Sequence, residues 1–514
     1  MLRVSEEMRL DRRWAPVLIG AVTAALLFIV AGTLQRIPVV HDEAAYLLQA
    51  RLFASGHWTA PGRPVPEFFE QLMIFVTPFV ASKYPPGQSL MLVPGVWLGV
   101  PGLVPILFAG VSGALVFAMA RRVAGGWVAV LTWLLWISSY PTLYWRATYY
   151  MSETTSDTAW LVAWWGLLVW RVDQRRWGLI VTALAVGVVT ITRPLTGVAL
   201  ALPVGVVALD AAWRRHEWLI LATAAAVGAA VLMVIPMWSA ATTGDWRQTP
   251  LRLHERMYLP NDHPGFGDGV LRQPERRLPA DLAANQAAYT PLHLNYRPSA
   301  VPRTLLQRLD RIAHDAWYDW RIVFAPFAAL ALLVLGVEGW FAVAGAATMI
   351  LVYLLYAHLP TYTLYYQEIE PVLAFVTAVG LATVAKRVRV LLPVTAATLI
   401  VATVLTVRSQ VVQVRDDQRY WVAFQSAVAA IPDRKAIVFV HYASGHNNNL
   451  ALVRTDPDPD TVRVWTAYDR GPDNARLIAV APDRTPYRFD EATWSLLRLP
   501  QRSASVSSSR PAAE

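Results

Sequence analysis

Long apolar runs separated by short polar segments dominate the chain. The runs are about 17 to 25 residues long, enough for a helix to cross roughly 30 Å of hydrocarbon. They lie near residues 15–34, 89–119, 123–140, 155–170, 177–192, 195–210, 218–238, 322–337, 339–358, 366–385 and 390–407. The pattern predicts a polytopic α-helical membrane protein with about 11 (9–13) transmembrane helices, built as a transmembrane domain over residues 15–407.

Basic residues form small clusters between these runs, although the net charge is +9. Clusters of this kind mark loops that stay in the cytoplasm, and no continuous basic stripe suggests nucleic acid as a partner. The clusters are Arg3, Arg9, Arg12 and Arg13; Arg121 and Arg122; Arg171, Arg175 and Arg176; Arg214 and Arg215; and Lys386, Arg387 and Arg389. They predict that residues 1–14 form a cytoplasmic tail, and that loops 35–88 and 239–321 and the C-terminal tail are extracytoplasmic.

The predicted outer segments carry their own patterns. Residues 43–53 and 67–80 are rich in apolar and aromatic residues but too short to span, so we expect two helices lying at the membrane surface. Residues 408–501 predict a small extracytoplasmic α/β domain, with a helix at 420–430 and strands at 435–440 and 477–481. The segment 502–514 is rich in Ser, Ala and Pro and is predicted to be disordered. The chain has no cysteine, so no disulfide holds this domain together.

Two candidate groups lie in the first outer loop. Asp42 and Glu43, preceded by His41, open the first surface helix, where a carboxylate could act as a general base or simply cap the helix. Lys83 precedes two prolines at the start of the next apolar run, where it could bind a phosphate or anchor the helix at the interface.

A third group surrounds the start of the run at 155–170. Glu153 and Asp157 are four residues apart and share one helical face, where like charges repel unless a cation intervenes. Arg146 supplies such a cation locally, with Tyr149 and Tyr150 beside it. A divalent metal or the hydroxyls of a sugar are the functional alternatives.

A fourth group joins two predicted outer span ends. Arg193 is the only charge in its hairpin, where it could reach lipid headgroups or bind a phosphate. Tyr365, Tyr366, Glu368 and Glu370 precede the run at 366–385. Tyrosines at this depth are usual membrane-interface residues, whereas two glutamates beside them are less ordinary.

Together these groups place cations, carboxylates and apolar walls on one face, as binding of a lipid-linked sugar phosphate requires. The sequence contains no Walker A loop, no GxGxxG after a strand and no HExxH, so it shows no nucleotide site. A multispanning transporter or flippase of envelope precursors is the alternative, but it usually shows two related halves and charges near the bilayer midplane. A scaffold with an inactive membrane part is a third possibility.

The motifs resemble the GT-C superfamily of polytopic glycosyltransferases, in particular the bacterial branch of protein O-mannosyltransferases and the lipid A aminoarabinose transferase. The resemblance covers about residues 15–385. It rests on Asp42 and Glu43 followed by Tyr46, the segment 50–58 (ARLFASGHW), the segment 83–87 (KYPPG), the segment 146–153, Thr192 to Pro194, residues 365–368 (YYQE) ahead of Pro371, and segments 243–245 and 265–267. The pair Ile369 and Glu370 before Pro371 departs from the family pattern.

The resemblance implies an inverting transfer from a polyprenyl-phosphate sugar donor at the bacterial inner membrane. It implies Asp42 as the general base, with Glu43 as the neighbouring carboxylate, and Lys83 at the donor phosphate. The further expected contacts are Arg146, Arg193, Tyr365 and Tyr366 for the phosphate, and Glu153, Asp157 and Glu368 for sugar or acceptor. The acceptor is a lipid, polysaccharide or protein. No cofactor is certain; a divalent metal is possible, and its ligands are not assigned.

Overall fold

The computed structural model describes residues 13–148, 150–447 and 449–500. Tyr149, the predicted disordered tail 502–514 and residues 1–12 of the predicted cytoplasmic tail lie outside this part. The α-helices are α1 (Ala15–Ala31), α2 (His41–Ala54), α3 (Gly87–Trp97), α4 (Leu103–Ala124), α5 (Gly126–Ile137), α6 (Tyr140–Thr148), α7 (Ser152–Asp173), α8 (Trp177–Thr192), α9 (Pro194–Arg215), α10 (Trp218–Leu232), α11 (Val234–Thr243), α12 (Pro250–Tyr258), α13 (Ala280–Asn295), α14 (Val301–Ala316), α15 (Ala325–Ala331), α16 (Val337–Tyr353), α17 (Glu370–Ala385), α18 (Leu391–Ala429) and α19 (Asn474–Val480).

The strands form two small sheets. The first contains β1 (Ala60–Pro61), β2 (Ile74–Phe75) and β3 (Phe79–Ser82), with β3 antiparallel to both neighbours. The second contains β4 (Ala436–His441), β5 (Val464–Tyr468), β6 (Thr485–Asp490) and β7 (Ser495–Arg498) in the order β5-β4-β6-β7. In it, β4 runs parallel to β5 and β6, and β7 is antiparallel to β6.

The helices agree with the predicted polytopic membrane protein. Within the described residues, five helical segments are long and apolar enough to cross a membrane, namely Leu103–Ala124, Pro194–Arg215, Trp218–Thr243, Thr363–Ala385 and Leu391–Ala429. The shorter helices α1, α5, α8 and α16 are also apolar. The predicted number of about eleven spans stays a prediction.

Two of the predicted spans have a different local structure. The run 89–119 is divided into α3 and α4 because Gly99, in the left-handed region at φ 72°, ends the first helix, and Pro101 cannot continue it. The run 322–337 contains only the short α15, preceded by a 3-10 helix over Asp319–Phe324. Apolar composition alone therefore predicted continuous helices where glycine and proline interrupt the backbone.

In the first predicted outer loop, one of the two predicted segments is helical and the other is not; their predicted position at the membrane surface stays a prediction. The predicted helix at 43–53 is α2. The predicted helix at 67–80 is wrong, because this segment forms a 3-10 turn over Pro66–Phe68 followed by β2 and β3. Pro78 and the β-branched Ile74 and Val76 favour extended backbone here.

The C-terminal tail contains a confirmed strand, a wrong one and a longer helix than expected. The strand at 435–440 is confirmed as β4, but the predicted strand at 477–481 is wrong, since it falls on α19, whose Leu477 is buried against the sheet. A short apolar run does not distinguish a strand from a buried helix. The predicted helix at 420–430 is the end of the 39-residue α18, so the predicted domain boundary at 408 falls inside one helix.

The tail sheet packs against the first outer loop. Phe68 and Val80 of the loop share a hydrophobic cluster with Ile437 and Phe439 of β4. Ion pairs join the same two parts: Arg51 to Asp456 at 3.0 Å and Arg476 to Glu67 at 2.7 Å. The tail sheet and the loop that carries Asp42 are therefore in direct contact.

Candidate active site

Asp42 lies at the second position of α2 and is partly exposed. The hydroxyl of Tyr84 donates a hydrogen bond to its Oδ1, and the Tyr84 ring stacks on that of Tyr46 with the centroids 4.5 Å apart. Because Tyr84 follows β3 and Tyr46 lies one turn further along α2, the stacked rings fix the carboxylate between two elements. Asp42 is thus oriented through one oxygen.

Glu43 has a different environment from its neighbour. It is fully buried, and its carboxylate accepts hydrogen bonds from the backbone amides of Val39 at 2.7 Å, Val40 at 3.3 Å and Tyr150 at 2.8 Å. The bond from Val40 caps α2. These contacts give Glu43 the capping role that the sequence left open, and they leave Asp42 as the carboxylate available to a substrate.

Burial raises the pKa of Glu43 to about 7, against the opposing effects of Arg36 and the amide hydrogen bonds. The folded protein therefore binds a proton here more readily than the unfolded chain, and stability should fall as pH rises from about 4.5 to about 7. The free energy of unfolding should fall by about 3 kcal/mol over this range, at about 1.4 kcal/mol per pKa unit. Relative to Glu43→Gln, the melting temperature of the wild type should fall as pH rises from 5 to 8; a constant difference would contradict this.

Lys83 is 5% exposed, with its Nζ 5.4 Å from the centre of the Tyr84 ring. Burial lowers the pKa of His254 on α12 and raises the pKa of its neighbour Glu255 to about 7; the positive charge of Lys83 adds to the first shift and opposes the second. His254 is fully buried, and neither ring nitrogen has a hydrogen-bond partner in the part of the chain that the structure describes. The prediction from sequence missed α12 as part of this site.

Arg193 joins α8 to α9 and is 7% exposed. Its Nη1 lies 3.2 Å from Glu368 and 3.6 Å from Glu153, while its Nη2 has no partner among the described residues. The guanidinium carbon is 5.5 Å from the centre of the Tyr365 ring. Arg193 therefore pairs with two buried carboxylates through one of its nitrogens.

Arg146 and Asp157 form a fully buried ion pair of 2.5 Å. Ser112 donates to the same Asp157 oxygen at 3.0 Å, and the Arg146 guanidinium lies 5.0 Å from the centre of the Trp136 ring. This is the local pairing that the sequence offered as the structural alternative. Nη2 of Arg146 and Oδ1 of Asp157 have no hydrogen-bond partner among the described residues, so the predicted contacts of Arg146 with donor phosphate and of Asp157 with sugar stay predictions.

The two tyrosines of the 3-10 helix Thr363–Ile369 face different partners. Tyr365 lies against Arg193, whereas the hydroxyl of Tyr366 is 3.0 Å from Nε2 of His358. Glu153 of α7 and Glu368 and Tyr365 of the 3-10 helix meet at Arg193. Of the predicted residues, the structure brings together Arg193, Glu153, Glu368 and Tyr365 in one group, and Asp42 and Lys83 around Tyr84 in another.

Residues that could hold a metal were also considered. Across residues 13–148, 150–447 and 449–500, no three His, Asp or Glu side chains are arranged to hold a metal ion. A divalent metal stays among the alternatives.

Neither a protein-family model nor a curated protein matches the sequence. Solved structures do match. The crystal structure of ArnT from Cupriavidus metallidurans in the apo state aligns over 93% of this chain and 93% of that chain, with 14% identity and a TM-score of 0.54. The chain has the fold of ArnT. ArnT bound to undecaprenyl phosphate aligns over 94% of this chain and 91% of that one, with 15% identity and a TM-score of 0.51.

A weaker similarity extends to the archaeal oligosaccharyltransferase AglB from Archaeoglobus fulgidus, solved with an inhibitory peptide and a dolichol-phosphate. It covers 84% of this chain and 62% of that one, with 10% identity and a TM-score of 0.39. The ArnT fold confirms the predicted resemblance to the GT-C transferases at the level of architecture. At these identities the roles of individual residues do not follow from the alignment.

Proposed function

We propose that the protein transfers a glycosyl residue from a polyprenyl-phosphate donor to an envelope acceptor on the outer face of the bacterial inner membrane, with inversion. The observation that carries the proposal is the hydrogen bond between Asp42 and Tyr84, with Lys83 beside the same tyrosine ring, on an ArnT fold. ArnT itself has been solved with undecaprenyl phosphate bound, which supports a lipid phosphate as the donor class.

In the proposed reaction Asp42 removes the proton from an acceptor hydroxyl. The acceptor oxygen attacks the anomeric carbon, and the bond from that carbon to the phosphate oxygen breaks, so polyprenyl phosphate leaves with the electron pair. Tyr84 binds Oδ1 of Asp42, which leaves Oδ2 for the acceptor. Lys83 and the unpaired donor of Arg193 stabilise the growing charge on the phosphate.

The apolar part of the donor needs a hydrocarbon-like groove. A small, largely apolar cavity of about 90 Å³ lies between α4, α7, α16 and α17, and Trp160, Trp164, Pro371 and Phe375 are among the residues that line it. Trp160 lies one turn along α7 from Ser156, which donates a hydrogen bond to Glu368. A cavity of this size accommodates only a short part of the prenyl chain of a donor whose phosphate lies near Arg193.

The proposal is tested with purified protein in lipid, incubated with radiolabelled polyprenyl-phosphate sugars and an acceptor pool from cell envelopes. Appearance of label in the acceptor, with release of polyprenyl phosphate, supports it and identifies the donor sugar. Movement of intact donor across the bilayer of a vesicle without transfer would instead support the alternative, a transporter or flippase.

Lys83→Gln should weaken the apparent affinity for the donor about tenfold or more, because a charge-assisted contact with phosphate is lost. Donor titration in the transfer assay, or donor binding by the same preparation, measures the change. Lys435→Gln is the control, since Lys435 forms an exposed ion pair with Asp483 in the tail. Equal donor affinity in wild type and Lys83→Gln would remove Lys83 from the phosphate site.

A further inference from the structure

A short segment of the tail domain contacts the backbone immediately before Asp42. Leu450 forms an isolated antiparallel bridge with Val40. Four residues later, Nη2 of Arg454 donates a hydrogen bond to the carbonyl oxygen of Pro38. The tail therefore contacts the segment that leads into α2. Arg454 lies 412 residues after Asp42 in the sequence.

Arg454 is itself fixed by the tail. Its guanidinium carbon lies 3.8 Å from the centre of the Trp421 ring of α18, and its Nε donates to Ala451 at 3.2 Å. Its backbone amide donates to the hydroxyl of Thr466 in β5 at 2.8 Å. Arg454 thus links α18 and β5 to the start of α2.

The same segment of backbone binds Glu43, the residue next to Asp42. The amides of Val39 and Val40 are the donors that Glu43 binds, and Asp42 lies between Val40 and Glu43. A shift at Pro38 would therefore change the direction of the Asp42 side chain. A misplacement of about 1 Å is enough to slow a reaction about a hundredfold.

We propose that Arg454 is a positioning residue for Asp42, and that the tail domain holds the start of α2 in the geometry needed for proton removal. This rests on the proposed function, in which Asp42 is the base. The donor site, formed by Lys83 and Arg193, makes no contact with Arg454 among the interactions found in the described residues. Loss of Arg454 therefore affects the rate of transfer and not the binding of donor.

Arg454→Gln should lower kcat about tenfold or more, with the donor KM unchanged. The matched control is Arg484→Gln. Arg484 also packs on a tryptophan, at 4.1 Å from Trp465, and donates to the carbonyl oxygens of Val462 and Pro459, each at 2.9 Å, but these partners are all in the tail. An equal loss of kcat in both variants would show that general integrity of the tail, and not Arg454, matters, and would overturn the proposal.

A disulfide across the bridge separates positioning from folding. The chain has no cysteine, and residues bridged in this way have Cα atoms about 4.5 to 5.5 Å apart, within disulfide range. Val40→Cys with Leu450→Cys, oxidised in the Arg454→Gln background, should restore kcat, and reduction should abolish the recovery. A formed disulfide without recovery of kcat would contradict the proposal.

Hydrogen exchange tests the contact without any transfer assay. Arg454→Gln should speed exchange of the amides of Val39 and Val40, whereas Arg484→Gln should leave it unchanged. Unchanged exchange in Arg454→Gln overturns the positioning role. Absence of transfer by the wild type, with faster exchange in Arg454→Gln, would overturn the proposed function while keeping the structural link.

Discussion

Asp42→Asn is expected to lower kcat for transfer about 10²- to 10⁴-fold, the range that a general base contributes. The amide has the shape of the carboxylate, and its oxygen still accepts the hydrogen bond from Tyr84. The fold and the donor affinity of Asp42→Asn should therefore be those of the wild type. The measurement is transfer under saturating donor, combined with donor binding by the same preparation.

The control for Asp42 is Asp310→Asn. Asp310 is an exposed aspartate on α14, outside the segments that carry the family resemblance. It should transfer at the wild-type rate. Transfer by Asp42→Asn at the wild-type rate would show that the base is another group, and Glu43→Gln would then be the next variant to measure.

Arg193→Gln should destabilise the protein by about 3 to 5 kcal/mol, because it leaves Glu153 and Glu368 buried without their cation. The loss should appear as a lower melting temperature in lipid or detergent. Affinity for the glycosyl donor should fall as well, since the substitution removes both the charge and Nη2 of Arg193, which has no hydrogen-bond partner among the described residues.

Two comparisons isolate the buried charge in this prediction. Arg171→Gln breaks an ion pair of 2.8 Å with Glu338, but both partners are about one fifth exposed (19% and 22%), so the loss should be about 1 kcal/mol or less. Adding Glu368→Gln to Arg193→Gln should recover part of the stability, because one uncompensated charge is removed. Equal losses of stability from Arg193→Gln and Arg171→Gln would show that burial of an ion pair does not determine how much stability its loss removes.

The sequence was most informative about contacts between residues that lie only a few positions apart in the chain. The pairing of Arg146 with Asp157 and the cap provided by Glu43 were both among the alternatives, because capping and helical spacing act over a few residues. Lys83 and Asp42 were expected at one site through the family resemblance. Their link, the hydrogen bond from Tyr84, depends on how β3 packs beside α2 and has no signature in the sequence.

Other features required the tertiary structure. His254 lies on α12, where residues 250, 254, 257 and 258 are buried at helical spacing after the cap Thr249. The sequence contains this helical spacing, but it lies within the segment 239–321 that was predicted as a loop. Segment 67–80 was predicted as a helix but contains strands, and segment 477–481 was predicted as a strand but falls on a helix, because short apolar runs fit either structure. The contact of Arg454 with Pro38 joins distant parts of the chain, which no local pattern predicts.

The helix α18 has a consequence for how the length of the chain can vary. At 1.5 Å per residue its 39 residues span about 58 Å, so the single rod begins among apolar helices and ends at the tail sheet. Each inserted residue would raise the sheet by about 1.5 Å and turn it by about 100°, carrying Leu450 and Arg454 away from Val40 and Pro38. The length of this rod is therefore a fixed dimension of the molecule.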